Sequence, residues 1–150
     1  MKSEVGKNNV VSCMDMNIFS EDWNLSQFWY SEETSKTLAR ECLRCVGPNG
    51  SIACISAPSV YVAIKKHFPE AANQVVLLEY DKRFAGFGED FIFYDYKNPL
   101  GIPRHLASGF DLVFADPPFL SDECLTKTAV TVKFMAKQKI ILCTGNTLQK

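Results

Sequence analysis

The sequence predicts an α/β fold built on a mostly parallel sheet with helices on both faces. Three observations predict it. Short apolar runs recur as Ser51–Ser56 (SIACIS), Gln74–Glu79 (QVVLLE) and Asp111–Ala115 (DLVFA), and a run without polar alternation suits a strand buried on both faces. Segments with helical spacing of apolar residues lie between them, and strand–helix alternation implies right-handed crossovers and a parallel sheet. The chain has 150 residues, 47% of them hydrophobic and 22% charged, which is enough for one domain with a core and too little for two.

Taken in order, residues 1–22 lack periodicity and read as a mobile tail. Ser31 is placed to cap a helix whose first turn carries Glu32 and Glu33, favourable near the positive end of the helix dipole. Leu38, Cys42, Leu43 and Val46 continue it at helical spacing, and Gly47-Pro48-Asn49-Gly50 ends it. After the first strand, Pro58 and Ser59 open a helix with Val60, Ile64 and Phe68 on one side. A short turn or helix around Phe84–Phe87 leads into a third strand, Asp90–Tyr94. The fourth strand, Asp111–Ala115, is followed by a helix over Ser121–Ala136 with Leu125, Thr128, Val132 and Met135 on one face. Lys139–Cys143 is the fifth strand. Its apolar side chains suit a covered position rather than a bare sheet edge, so an element that covers it is expected and is missing from this stretch of chain.

Composition narrows the function. Sixteen basic and seventeen acidic residues give a net charge of −1, whereas duplex-binding domains usually carry a basic excess that displaces counterions; a nucleic-acid partner is therefore disfavoured. No apolar run approaches the length of a membrane span, and Met1 to Asn9 carries no secretory pattern. The six cysteines, Cys13, Cys42, Cys45, Cys54, Cys124 and Cys143, then fit a reduced compartment, cytoplasmic or nuclear, better than a disulfide framework. Cys42 and Cys45 form a C-x-x-C inside a predicted helix with no second pair or nearby His, so a metal site is not expected and both read as small buried apolar residues.

Ligands of an open parallel sheet bind beyond the carboxyl ends of its strands. Ser56-Ala57-Pro58-Ser59 follows the first strand, Glu79-Tyr80-Asp81 ends the second, Asp95-Tyr96 follows the third, and Asp116-Pro117-Pro118-Phe119 follows the fourth. An acid after a strand is often only a turn residue or helix cap, and a Pro-Pro pair alone is usually a rigid loop. Their convergence on one edge is more informative. The two prolines fix a loop and remove two N–H groups, leaving carbonyls free to accept. The Asp116 carboxylate and one such carbonyl can hold both hydrogens of an –NH2 group and aim its lone pair. Phe119 offers a flat face to a planar base or an alkylammonium.

The Asp-Pro-Pro-aromatic motif after the fourth strand resembles the signature of S-adenosylmethionine-dependent amino-methyltransferases, which act on adenine, cytosine, glutamine or lysine nitrogens. Gln27-Phe28-Trp29-Tyr30-Ser31, Ser56-Ala57-Pro58-Ser59-Val60-Tyr61, Glu79-Tyr80-Asp81-Lys82-Arg83-Phe84 and Phe91-Ile92-Phe93-Tyr94-Asp95-Tyr96, with the Asp116 motif, more closely resemble the lysine methyltransferases of translation elongation factor 1-alpha, earlier classed as adenine methyltransferases. The resemblance runs from about Trp23 to Gly145. It implies a Rossmann-like class I methyltransferase domain over residues 23–150 that lacks its last two strands, with a protein substrate, S-adenosyl-L-methionine as cofactor, and a monomeric state when complete. It also implies roles: Asp116, Pro117, Pro118 and Phe119 at the acceptor amine, Glu79 or Asp81 at the cofactor ribose, and Asp95 with Tyr96 at its adenine. Ser56, Ala57 and Ser59 would meet the methionine end, and Gln27, Phe28 and Trp29, with Tyr30, would cover the cofactor from the side. The Ser56–Ser59 loop departs from the Gly-x-Gly usual in this class. An adenine methyltransferase on DNA or RNA, or a shortened domain that binds without turnover, are the alternatives.

Overall fold

The computed structural model describes residues 30–119 and 121–143. The predicted tail and Gln27, Phe28 and Trp29 lie outside the described residues. Helix α1 (Glu32–Val46) starts where Ser31 accepts a hydrogen bond from the Thr34 N–H, so the expected cap is in place. It ends at Gly47, whose φ of 78° belongs to the left-handed region and whose N–H donates to Leu43 O. The turn that follows needs Gly50, because a Cβ there would stand 2.3 Å from the Val46 Cβ. Asn73 staples the same turn, its amide donating to Gly47 O at 2.9 Å and Gly50 O at 2.6 Å.

Strand β1 (Ile52–Ile55) leads to α2 (Pro58–His67), then β2 (Val75–Glu79), a 3-10 stretch over Lys82–Asp90, and β3 (Phe91–Phe93). A 3-10 turn at Arg104–Leu106 precedes β4 (Phe110–Ala115), α3 (Asp122–Met135) and β5 (Ala136–Leu142). The strands form one parallel sheet in the order β3-β2-β1-β4-β5. β1 is central, with Ile52–Ile55 in register with Val75–Leu78 on one side and Leu112–Ala115 on the other.

Alternation along the strands sorts the core into two layers. Ile52, Cys54, Val75, Leu77, Leu112 and Phe114 pack against α1 and α2. Ala53, Ile55, Val76, Leu78, Val113 and Ala115 pack against α3 and the segment containing Ile102 and Leu106. Helices thus cover both faces, as the sequence implies, and the topology is the Rossmann-like one. Strand order reverses between β1 and β4, which is where such sheets open a ligand crevice.

Several boundaries and faces differ from the sequence reading. β5 begins at Ala136 rather than Lys139 and follows α3 without a loop; its register against β4 is irregular between Phe110 and Leu112. β3 is shorter than Asp90–Tyr94, and its side chains are only partly covered. The stretch around Phe84–Phe87 is longer than a turn and is broken at Gly88, where φ is 73°. On α3, Cys124 and Thr131 join Thr128, Val132 and Met135 in the core, whereas Leu125 is half-buried. On α1 the deepest residues are Ser35, Ala39 and Cys42, with Leu38, Leu43 and Val46 at the margin. The C-x-x-C cysteines lie on α1, Cys42 buried and Cys45 half-buried, and all five described cysteines are free. No described helix is long and apolar enough to cross a membrane.

Candidate active site

Four of the five strands, all but β2, are tied to a neighbour one residue beyond their ends. The Ser56 N–H donates to Leu78 O at 2.8 Å, Tyr94 to Glu79 O at 3.1 Å, Asp116 to Ile55 O at 3.0 Å and Cys143 to Ala115 O at 2.9 Å. The carboxyl ends of β1 to β5 therefore form one fixed rim, and the residues that follow them are held close to the sheet.

Past β1, Ser56 turns the chain with a φ of 57°, a left-handed conformation uncommon for a residue with a side chain. The turn delivers Pro58 as the first residue of α2, where a missing N–H costs nothing. Ala57 and Ser59 are buried, and the Ser59 hydroxyl has no hydrogen-bond partner among the described residues. An unpaired buried hydroxyl is costly, and this one sits in the first turn of a helix, among N–H groups that favour an anion.

Past β2, Glu79 and Asp81 are both buried, but their partners differ. Glu79 Oε2 accepts from the N–H groups of Tyr80 and Asp81 at 3.1 Å each. Burial nevertheless raises its pKa to about 7, against the donors that favour its charge. Asp81 is gripped by Arg83, whose Nη2 and Nε donate to Oδ2 at 2.6 and 2.9 Å, and it also caps the 3-10 stretch through the Arg83 N–H. Past β3, Asp95 Oδ1 accepts from the Lys97 N–H at 3.0 Å, closing a local turn. The Tyr94 hydroxyl bonds Thr131 at 2.7 Å; Thr131 in turn donates to Pro99 O. That chain anchors the loop after β3 to α3.

Past β4, Pro117 is buried, Asp116 and Pro118 are half-buried, and Phe119 is 42% exposed. Tyr96 meets Phe119 edge-on with ring centroids 5.9 Å apart, so the loops after β3 and β4 touch. Burial pushes the Asp116 carboxyl up to about 6, and the Tyr30 hydroxyl nearby opposes that rise. Cys143 stands beside Asp116 at the end of β5, its thiol raised chiefly by burial. Sequence reasoning counted Tyr30 among residues beside the cofactor and gave Cys143 no role. The structure brings both to Asp116, and the only sequence trace of this is the place of Tyr30 just before the α1 cap.

A depression of about 380 Å3 lies at the opposite, amino end of the sheet among Cys45, Pro48, Asn49, Asp111, Gln138 and Lys139. Its polar groups answer one another: Lys139 donates to Cys45 O at 2.8 Å, and Asp111 accepts from the Ser51 N–H at 2.9 Å. No group of three or more described His, Cys, Asp or Glu side chains is arranged to hold a metal ion.

Comparison with known proteins follows the same lines. Residues 21–150 match the model of a family described as probable N6-adenine methyltransferase. The chain is 55% identical over 131 residues to EEF1A lysine methyltransferase 1 of Gallus gallus, covering 87% of this chain and 61% of that protein. With the protein of the same name from Danio rerio it shares 53% over 129 residues, covering 84% and 78%. With protein-lysine N-methyltransferase EFM5 of Saccharomyces cerevisiae it shares 39% over 152 residues, covering 90% and 61%. The chain thus spans about three fifths of the length of the Gallus gallus and Saccharomyces cerevisiae relatives. On the family match over residues 21–150 and the identity to the zebrafish protein, the chain belongs to this methyltransferase family.

Proposed function

We propose that the chain carries the catalytic rim of an S-adenosylmethionine-dependent protein-lysine N-methyltransferase whose substrate is translation elongation factor 1-alpha. The observation that carries the reading is Asp116: a half-buried carboxyl on a proline-fixed loop, at the strand-order reversal, beside an exposed aromatic ring. The names of the relatives supply the substrate class.

The residues present fit the cofactor. The orphaned Ser59 hydroxyl and the turn at Ser56 and Ala57 suit its carboxylate end. Glu79 suits the ribose better than Asp81 does, because Asp81 is committed to a fork from Arg83. Asp95 and Tyr96, at the end of the adjacent strand, suit the adenine. When bound, S-adenosylmethionine supplies an electrophilic methyl group on a sulfonium. Gln27, Phe28 and Trp29 belong to the same proposal by resemblance.

The protein's part is to present an amine. A lysine ammonium, with an ordinary pKa of ~10.4, must lose a proton before its nitrogen has a lone pair, and release to water before transfer suffices. The ionised Asp116 then accepts one N–H and the Pro117 carbonyl the other, which leaves the lone pair pointing out of the loop. Phe119 lies against the alkyl stem and favours the arriving cation. Most of the rate gain in such a site comes from orientation. In the reaction an N–C bond forms as an S–C bond breaks, and the methylated ammonium later returns its proton to water.

The family description favours a second reading, transfer to adenine in nucleic acid, since the same loop can hold an exocyclic amine. Incubation with labelled S-adenosylmethionine and either elongation factor 1-alpha or DNA and RNA separates the two. Label in a lysine of the protein is expected. Label confined to nucleic acid, or absent from both, overturns the leading reading.

A further inference from the structure

Phe119 and Tyr96 meet between two loops, and the two rings are held differently. Phe119 is 42% exposed in the loop after β4. Tyr96 packs on the core layer that faces α3, inside a tight turn. Asp95 Oδ1 accepts from the Lys97 N–H at 3.0 Å, and the Asp95 carbonyl accepts from the Asn98 N–H at 2.8 Å. The Tyr94 hydroxyl bonds Thr131, which donates to the Pro99 carbonyl, so α3 grips this loop before and after Tyr96. Tyr96 is therefore the seated member of the pair. It meets Phe119 edge-on with centroids 5.9 Å apart, within the range of favourable ring pairs. An exposed side chain keeps its rotamer freedom unless a neighbour restricts it, and here that neighbour is Tyr96.

We propose that Tyr96 is a positioning residue for Phe119 and links cofactor occupancy to binding of the acceptor lysine. Asp95, the neighbour of Tyr96, commits Oδ1 to the turn that encloses that ring. An adenine amino group donating to Oδ2 braces the same turn. A braced Tyr96 holds Phe119 in the orientation against which an alkyl stem lies, so part of the acceptor site is ordered before the acceptor arrives. Such coupling is reciprocal: the factor by which the cofactor tightens acceptor binding is the factor by which the acceptor tightens cofactor binding. One edge-on ring pair limits it to roughly 2- to 10-fold. The link rests on the functional reading above for the identity of both ligands.

Calorimetric titration of elongation factor 1-alpha into the chain, with and without saturating S-adenosylhomocysteine, measures the coupling. In the unaltered chain S-adenosylhomocysteine should tighten acceptor binding roughly 2- to 10-fold. Tyr96→Phe keeps the ring and should preserve that factor. Tyr96→Leu removes the ring and should abolish it, even where S-adenosylhomocysteine itself binds less tightly. No tightening in the unaltered chain overturns the proposal. So does tightening that survives in Tyr96→Leu, or that is lost in Tyr96→Phe. If Tyr96→Leu does not fold, nuclear Overhauser contacts between the Tyr96 and Phe119 rings of the unaltered chain decide. They must be present and must strengthen when S-adenosylhomocysteine binds; contacts that are absent or unchanged overturn the link. A chain that binds no elongation factor 1-alpha, yet shows those contacts strengthening, would sink the functional reading and leave the ring link standing.

Discussion

The two ends of the sheet are made of the same five strands and spend their polar groups differently. At the amino end Asn73 bridges two carbonyls, and the Ser51 N–H and hydroxyl face Asp111 at 2.9 and 3.4 Å. At the carboxyl end the hydroxyls of Tyr30 and Ser59 are buried without hydrogen-bond partners among the described residues. Glu79 and Asp116 are there too, both pushed toward their neutral forms by burial. Buried polar groups are normally paired. An end where they are not is a place prepared for a ligand, and the difference separates groups that hold the fold from groups that wait for chemistry.

The comparison breaks most readily at Asp116. Asp116→Ala should lower methyl transfer by ~10²-fold or more, as removal of an orienting group does, while calorimetric titration with S-adenosylhomocysteine stays near the unaltered value. Wild-type turnover in this variant would remove the motif from the mechanism. Asn73→Ala should do the reverse. It strands the Gly50 carbonyl and leaves that of Gly47 only a long bond from the Gly50 N–H, so denaturant unfolding should lose about 1–3 kcal/mol with no change in cofactor affinity.

Much of this was legible beforehand, for a physical reason. β1, β2 and β4 are buried along almost their whole length, so their sequences are nearly unbroken apolar runs and their ends lie within a residue of the expected ones. Edge strands carry no such mark. Lys137 and Gln138 are exposed on β5, and their polarity hid its first turn of chain behind the end of α3. The acids of the rim were visible because each follows a strand. The nearness of Tyr30 to Asp116 was not, since it joins the segment before α1 to the loop after β4, and no local pattern records that.

The acids sharpen the contrast through pH. Glu79 titrates at about 7 in the folded chain against 4.5 ordinarily. The folded state therefore holds the extra proton between those values, and its stability falls as the pH rises through the window. Glu79→Gln keeps an acceptor for the Tyr80 and Asp81 N–H groups without the charge. Its stability relative to the unaltered chain should improve by on the order of 3 kcal/mol between pH 4 and pH 8, while S-adenosylhomocysteine binds less tightly. A flat difference between the two unfolding curves across that range would contradict the assignment.

The smallest effect is also the most discriminating in sign. Ser59→Ala deletes a buried hydroxyl that has no partner among the described residues, so stability should hold or rise by about 1 kcal/mol or less, and cofactor affinity should fall. Loss of stability would mean that Ser59 belongs with Asn73 among the structural groups.

The place of β1 sets a schedule for making the protein. Its fully buried strand is closed on one side by β2 but on the other only by β4, and the Ser51–Asp111 bond spans 60 residues. At synthesis rates of about 5–20 residues per second, those 60 residues take roughly 3–12 s to add. During that interval one flank of Ile52–Ile55 has its backbone groups open, and contacts so distant in the chain are slow to form. The nascent chain is therefore most vulnerable to strand pairing with other molecules after β2 has emerged and before β4 has, and a substitution that weakens β4 would show first as lost yield during expression.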